Sequence, residues 1–361
     1  MKVCFFGSYV KSSNDIPSGN GGILLRKILE SQNVQVVECH EPIEKISDCF
    51  RAYWKLFCKH RKINYDILII PWRGILTLPL AKLIHRKPIV YFPAFSIYDT
   101  LVNDRKKFSK NSLKAKIIHF IDKTACRWAN LVILESTAEI DYFVNEFNSP
   151  KDKFCQLWLS VYEPLFPCLP FKSQTEEFTV LYFGEFIPLH GVDTIVKTAK
   201  ILRDRKDIKF ILCGHGQTLP EIQKFVENYG LTNVRLLGMV SVDTLLENIK
   251  NSDICFGIFG TSEKSKKVLT NKTYQILASR KPLLTMESPT SKEAGLENKK
   301  NCMLIQPSSF EELAKGIIFL KENEQVRKQI AENGYQTYVE NMSLDKVGKK
   351  LVKLCQRLNS N

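Results

Sequence analysis

Short apolar runs recur along the chain, spaced so that a helix fits between each pair. Val3-Cys4-Phe5-Phe6, Ile67-Leu68-Ile69-Ile70 and Val180-Leu181-Tyr182-Phe183 are apolar at every position, not at alternate ones. That pattern marks strands buried on both faces, which belong to parallel sheets flanked by helices. The strands expected in the first half are Lys2–Phe6, Val34–Glu38, Ile67–Pro71, Ile89–Phe92, Leu131–Leu134 and Phe154–Gln156. In the second half they are Thr179–Phe183, Lys209–Cys213, Val234–Leu236, Ile254–Ile258, Pro282–Thr285 and Met303–Ile305. Helices fit between them, among others at Ile23–Ser31, Lys114–Trp128, Thr137–Phe147 and Val192–Leu202. The alternation predicts an α/β fold: two Rossmann-like, doubly wound parallel-sheet domains facing a central cleft.

The two halves open alike, each with a strand ending in Phe-Gly (Phe6-Gly7 and Phe183-Gly184) before a loop and a helix. Between them lies the proline-punctuated run Pro164-Leu165-Phe166-Pro167-Cys168-Leu169-Pro170. The expected domains are residues 1–168 and 169–343, with a C-terminal helix within 344–361 crossing back onto the first. At 361 residues the chain is longer than one hydrophobic core usually serves.

The most apolar long stretch, Ile75 to Ile97, is broken by Lys82, His85, Arg86, Lys87 and Pro88, which excludes a membrane-spanning helix there. The first strand begins at Lys2, so no signal peptide is expected. Eleven cysteines without a CxxC pair, several within apolar strands, point to reduced, buried thiols and a cytoplasmic protein. The net charge of +14 is concentrated in one place. Lys45 to Arg127 holds eighteen Lys and Arg against five acids, a local excess of thirteen. A basic region of that size calls for an anionic partner: phospholipid, nucleic acid or a phosphate-bearing substrate.

Three loops could serve phosphate. Gly19, Gly21 and Gly22 precede the first long helix, where glycines admit a ligand close to the backbone and free N–H groups favour anions. Their spacing is not the GxGxxG of dinucleotide folds. The second loop is Gly184-Glu185-Phe186-Ile187-Pro188-Leu189-His190-Gly191. The third runs from Asp253 to Ala278, where a strand delivers a glycine-flanked loop with Lys264, Lys266 and Lys267 before Asn271-Lys272 opens a helix. Lysines beside a helix N-terminus suit a nucleoside diphosphate, with Gln275 placed for a ribose hydroxyl. There is no Asp-x-Asp triplet and no paired zinc spacing, so no metal and no cofactor are expected.

The blocks at 184–191, 210–216, 233–240 and 253–278 together resemble retaining glycosyltransferases of the GT-B fold, family four (group 1). In that family a Gly-Arg…Lys-Gly loop holds the donor diphosphate; Glu185 and His190 stand at its two basic positions here. Lys267 and Gln275 stand where the family has the glutamates of Glu-x7-Glu, while Asn271-Lys272 matches its Asn-Lys. The resemblance implies catalytic roles for His190, Lys267 and Lys272. It implies donor contacts from Gly191, Gly216, Val240, Glu263, Lys264, Asn271, Thr273 and Gln275, with the backbone around Met239 and Val240 facing the nucleobase. The run Ser96, Asp99, Asp104 and Arg105 resembles a similar run in a subgroup and supplies acceptor-side candidates. Asp122 and Arg127 fit a structural ion pair.

Two helical segments could meet a membrane. Phe50, Tyr53, Trp54 and Phe57 recur at helical spacing beside Arg51, Lys55, Lys59 and Lys62. Lys107, Lys110, Lys114 and Lys116 flank an apolar face of Leu113, Ile117 and Ile121. Aromatic and basic helices of this kind lie in the interface of anionic bilayers, though packing on the sheet explains the apolar faces equally well. The expected function is transfer of a sugar, with retention, from a nucleotide-sugar to a lipid-linked or membrane-associated glycan on the inner face of the cell membrane. Nucleic acid is not an expected partner, because the basic residues lie on helices and not on an exposed sheet face. A sugar-nucleotide epimerase, a non-catalytic polyanion-binding protein and an inactive transferase remain as alternatives.

Overall fold

The computed structural model describes residues 1–8, 21–43, 48–173 and 176–360. Within them two compact units form, Met1–Tyr162 with Leu344–Asn361, and Glu163–Ser343. Each unit contains one parallel six-stranded sheet.

The first sheet comprises β1 (Lys2–Gly7), β2 (Gln35–His40), β3 (Ile67–Pro71), β4 (Ile89–Phe92), β5 (Leu131–Leu134) and β6 (Phe154–Gln156), in the order β2-β1-β3-β4-β5-β6. Alternate residues of β1 serve opposite faces. Cys4 and Phe6 pack under α2 (Cys49–His60), α3 (Leu78–Ile84), α4 (Leu113–Trp128) and α5 (Thr137–Phe147). Val3 and Phe5 pack under α1 (Gly21–Ser31), with the C-terminal helix, residues Leu344–Ser360, also on that face. That helix closes the first sheet because Val347, Leu351 and Cys355 fall at i, i+4 and i+8, a buried stripe against Leu25, Ile28 and Leu29. Helix α1 starts at Gly21, so Gly21 and Gly22 form its first turn and not a free loop. Gly19 lies outside the described residues.

The second sheet comprises β7 (Phe178–Phe183), β8 (Ile208–Cys213), β9 (Val234–Gly238), β10 (Ile254–Phe256), β11 (Leu283–Met286) and β12 (Met303–Ile305), ordered β12-β11-β10-β7-β8-β9. Its helices are α6 (Val192–Ile201), α7 (Leu219–Asn228), α8 (Val242–Asn251), α9 (Asn271–Ala278), α10 (Pro289–Glu293), α11 (Phe310–Glu322) and α12 (Glu324–Asn341); the C-terminal helix is α13. Val180 and Tyr182 share a core with α6, α7 and α11. Strand β10 ends at Phe256, two residues earlier than the apolar run suggests. Backbone bonding to β11 nevertheless runs on: Gly257 N–H donates to Leu284 O at 2.9 Å and Met286 N–H to Ile258 O at 3.0 Å, while the Thr285 hydroxyl accepts the Ile258 N–H at 3.1 Å. Strand order reverses between β10 and β7, which puts a switch point of the doubly wound sheet at their carboxyl ends. All eleven cysteines are free.

Candidate active site

The carboxyl end of β7 is shaped by glycine. Gly184 has φ +136°, and a Cβ there would sit 3.0 Å from Lys272 Cε and 3.1 Å from its Nζ. The chain then makes a short 3-10 turn, Pro188–His190, and reverses at Gly191 (φ +62°), the N-cap of α6. A Cβ at Gly191 would lie 2.5 Å from the Phe259 carbonyl carbon, so the β7 and β10 loops touch backbone to backbone. Phe259 N–H donates to His190 O at 3.0 Å across that contact. Gly216, in the loop after β8, lies as closely against the Phe186 backbone.

This packing brings together residues 82 positions apart. Lys272, in the first turn of α9, is only 4% exposed. Its Nζ stands 3.3 Å from His190 Nδ1 and 4.0 Å from the centroid of the Tyr182 ring. His190 Nδ1 lies 2.6 Å from Glu185 O and 2.9 Å from the Tyr182 hydroxyl, which itself donates to Glu185 O at 2.6 Å. A bare ring nitrogen and a carbonyl oxygen repel at 2.6 Å, so Nδ1 carries hydrogen and donates to Glu185. Burial holds the Lys272 amine well below the ordinary lysine range, against the pull of the Glu185 carboxylate. The ring face of Tyr182 offsets that by about 0.5–2 kcal/mol, whereas burying an ammonium costs several, so burial dominates.

The other candidates divide by exposure. Lys264 is buried, Lys267 half-buried, and Lys267 N–H bonds to Lys264 O at 3.0 Å in a turn. Lys266 is paired at 2.6 Å with Glu263, which is exposed. Asn271 is exposed at the start of α9, whereas Thr273 and Gln275 are buried. Val240 is half-buried after β9, next to exposed Met239. In the sequence Gly184 is simply the first residue of the second candidate phosphate loop, and Tyr182 looks like any residue of an apolar strand. Only the burial of a lysine under them reveals a site.

In the first unit, Ser96, Asp99 and Asp104 are buried and Arg105 half-buried, around a π-helical turn at Asp99–Asp104. Ser96 Oγ donates to Asp122 at 2.7 Å and accepts from the Asp99 N–H at 3.0 Å; Tyr98 N–H also donates to Asp122, at 2.9 Å. Asp122 therefore anchors this segment. Burial raises its carboxyl to about 6 despite these bonds. The expected Asp122–Arg127 pair is absent among the described residues: Arg127 is exposed and Asp122 is taken by Ser96. The aromatic stripe of α2 divides between the two readings. Ala52 and Leu56 face the core, Tyr53 and Phe57 are half-buried, and Phe50 and Trp54 are 87% and 65% exposed. Lys55 and Lys59 turn toward Glu41. On α4, Leu113, Ile117 and Phe120 are exposed, while Ile121 packs against the core.

Residues 170–337 match the family model described as Glycosyl transferases group 1. The chain is similar to Uncharacterized glycosyltransferase MJ1069 of Methanocaldococcus jannaschii, 25% identical across 85% of this chain and 79% of the relative. It is 20% identical to the poly(ribitol-phosphate) alpha-N-acetylglucosaminyltransferase of Staphylococcus aureus over 70% of this chain, spanning 49% of that enzyme. In fold it resembles the Anabaena protein Alr3699/HepE, solved in complex with UDP and glucose, with TM-score 0.71, 16% identity and 99% of both chains covered. The two parallel six-stranded sheets with flanking helices are those of GT-B structures, and the family match and relatives support glycosyltransferase activity.

Proposed function

We propose that the protein is a retaining hexosyltransferase that moves a sugar from a nucleotide-sugar to a lipid-linked or membrane-associated glycan. It uses neither metal nor cofactor and works at the cytoplasmic face of the cell membrane. The observation that carries the reading is Lys272, buried beside His190 at the β10–β7 switch point, inside the segment that matches the transferase family. In this reading Lys272, His190, Lys264 and Lys267 stabilise the charge that builds on the leaving diphosphate. No side chain attacks the sugar; the site positions donor and acceptor on one face of the ring. Positive charge from lysines does the electrostatic work that a divalent ion does elsewhere. The relative's action on poly(ribitol-phosphate) and the neighbour's complex with UDP and glucose support a glycan acceptor and a nucleotide-sugar donor. The exposed aromatic and basic residues of α2 and α4 support docking on an anionic membrane.

The test is donor cleavage across a panel of sugar nucleotides, with metal-stripped protein in excess EDTA and the product anomer read by NMR. At least one donor is expected to turn over, with the anomeric configuration retained. Failure of every donor to bind or react overturns the reading. Activity lost in EDTA and restored by magnesium or manganese overturns the metal-free mechanism alone.

A further inference from the structure

Two lysines of the second unit are almost equally buried and differently served. Lys281 is 2% exposed, and its Nζ donates to two carbonyl oxygens, Lys250 O at 2.7 Å and Ser252 O at 2.9 Å. An ammonium so placed keeps acceptors for its charge. Lys272 has none of this kind: among the described residues no carboxylate or carbonyl oxygen accepts from its amine. It faces the Tyr182 ring and a His190 nitrogen whose hydrogen already goes to Glu185 O. With its hydrogen on Nδ1, His190 offers the amine no lone pair on that side, so an ammonium there would meet no acceptor. The titratable groups around the amine are Tyr182 from β7, and Glu185 and His190 from the loop that follows; the Glu185 side chain is exposed.

We propose that Lys272 stands as an uncharged amine in the unliganded site and takes up one proton from solvent when the diphosphate of a sugar nucleotide arrives. The phosphate oxygens supply the acceptors the pocket lacks, and departure of the nucleoside diphosphate returns the proton. No covalent bond to the donor forms. The inference rests on the donor reading above and adds a protonation step to it. The lowered amine described for the site points the same way. The bound form holds the proton more tightly than the free form. Donor affinity is therefore fully present below the free amine's value and falls as pH rises above it. Gly184 is part of the arrangement, since any side chain there would press on the amine.

Calorimetry in buffers of different ionisation enthalpy counts protons taken up per donor bound. The probes are UDP-glucose, UDP-N-acetylglucosamine and GDP-mannose, whose diphosphate diesters do not titrate near neutrality. Above the free amine's value, uptake is expected to approach one proton, with affinity falling up to tenfold per pH unit. Lys272→Met should remove the uptake along with most of the affinity. Lys272→Arg, charged throughout, should bind with a flat pH profile, and His190→Gln should keep the uptake. Wild-type protein that binds a donor with no uptake and a flat profile overturns the proposal. Uptake lost in His190→Gln but kept in Lys272→Met does so too, by placing the proton on histidine. If wild type binds none of the three nucleotides, the donor reading itself fails.

Discussion

The two units share an architecture and the same Phe-Gly ending to their first strand, yet they place charge in opposite ways. The first unit carries its cations on the outside. Phe50, Trp54, Leu83, Leu113, Ile117 and Phe120 are exposed on α2, α3 and α4, among exposed Arg51, Lys82, Arg86, Lys87, Lys114 and Lys116. Three of the five acids between Lys45 and Arg127, namely Asp99, Asp104 and Asp122, are buried and leave that face almost purely basic. The second unit buries Lys264 and Lys272 instead, after the carboxyl end of β10, and among the described residues exposes only Ile201, Tyr229 and Met239 of its large apolar side chains. The same fold thus offers an exposed basic surface in one unit and a buried lysine in the other. Which it offers depends on whether the polar residues fall on outer helix faces or at strand ends.

The strongest way to break this contrast is to remove the buried lysine. Lys272→Ala should lower affinity for a sugar nucleotide by roughly 10- to 150-fold, the worth of a charge-assisted bond of about 1.5–3 kcal/mol. Calorimetric titration reads it. An unchanged affinity would remove Lys272 from the site and leave the second unit without its distinguishing feature.

Acid should separate the units next. His85 is buried in the first unit, against Phe6 and Tyr65, and burial lowers it to about 3. The unfolded chain then binds protons that the folded chain refuses. Stability is retained above about pH 6.5 and lost as pH falls below it, by about 2 kcal/mol at pH 5. His85→Gln should flatten that stretch of the profile in chemical denaturation. A wild-type profile that is flat from pH 7 to 5 would contradict the neutral, buried imidazole.

Much of this was legible in the residues, and the exceptions share a cause. The inner strands β1, β3, β4, β5, β7, β10 and β11 were readable because a doubly covered strand must be apolar nearly throughout, a local property, whereas the half-exposed β2, β6 and β9 were readable from their spacing between helices. Ends were less so: at Ile258 the N–H goes to the Thr285 hydroxyl of the neighbouring strand and not to a backbone carbonyl, a partner that nothing local announces. Lys272 was readable from its place after a lysine loop, but its partner Tyr182 was not. The tyrosine belongs to a strand ninety residues earlier, and nothing local distinguishes it from its apolar neighbours. The α2 stripe was only half legible for a related reason. Helical spacing identifies a face, but only the sheet beneath decides that Ala52 and Leu56 fill the contact and Phe50 and Trp54 do not.

The surface of the first unit is tested by Phe50→Ser with Trp54→Ser. Neither side chain contributes to the core, so folding should be unaffected. Partial insertion of two aromatics into a bilayer is worth about 1–1.5 kcal/mol, so binding to anionic vesicles should fall about tenfold. Flotation at high salt is the more searching measurement. Screening suppresses the lysines and leaves insertion, so the variant and wild type should differ most there. Equal flotation of both would reduce the face to a plain electrostatic patch.

The smallest effect is expected at Lys266, and it sharpens the contrast by its size. Lys266 sits two residues from buried Lys264 in the same loop, and only the family resemblance assigns a donor contact to Lys264 and none to Lys266. The structure separates them: Lys266 Nζ meets Glu263 Oε1 at 2.6 Å, with the two side chains 44% and 80% exposed. An ion pair in water of this kind contributes about 0–1 kcal/mol, and its charge is already balanced by the glutamate. Lys266→Ala should therefore change donor affinity less than about threefold, at a site where Lys272→Ala costs ten or more. Glu263→Ala should be as mild, and the double variant should show little coupling. A large loss from Lys266→Ala would mean that the loop rearranges around the donor and that Glu263 releases its partner to the phosphates. Burial in the unliganded protein would then be a poor guide to which lysines matter.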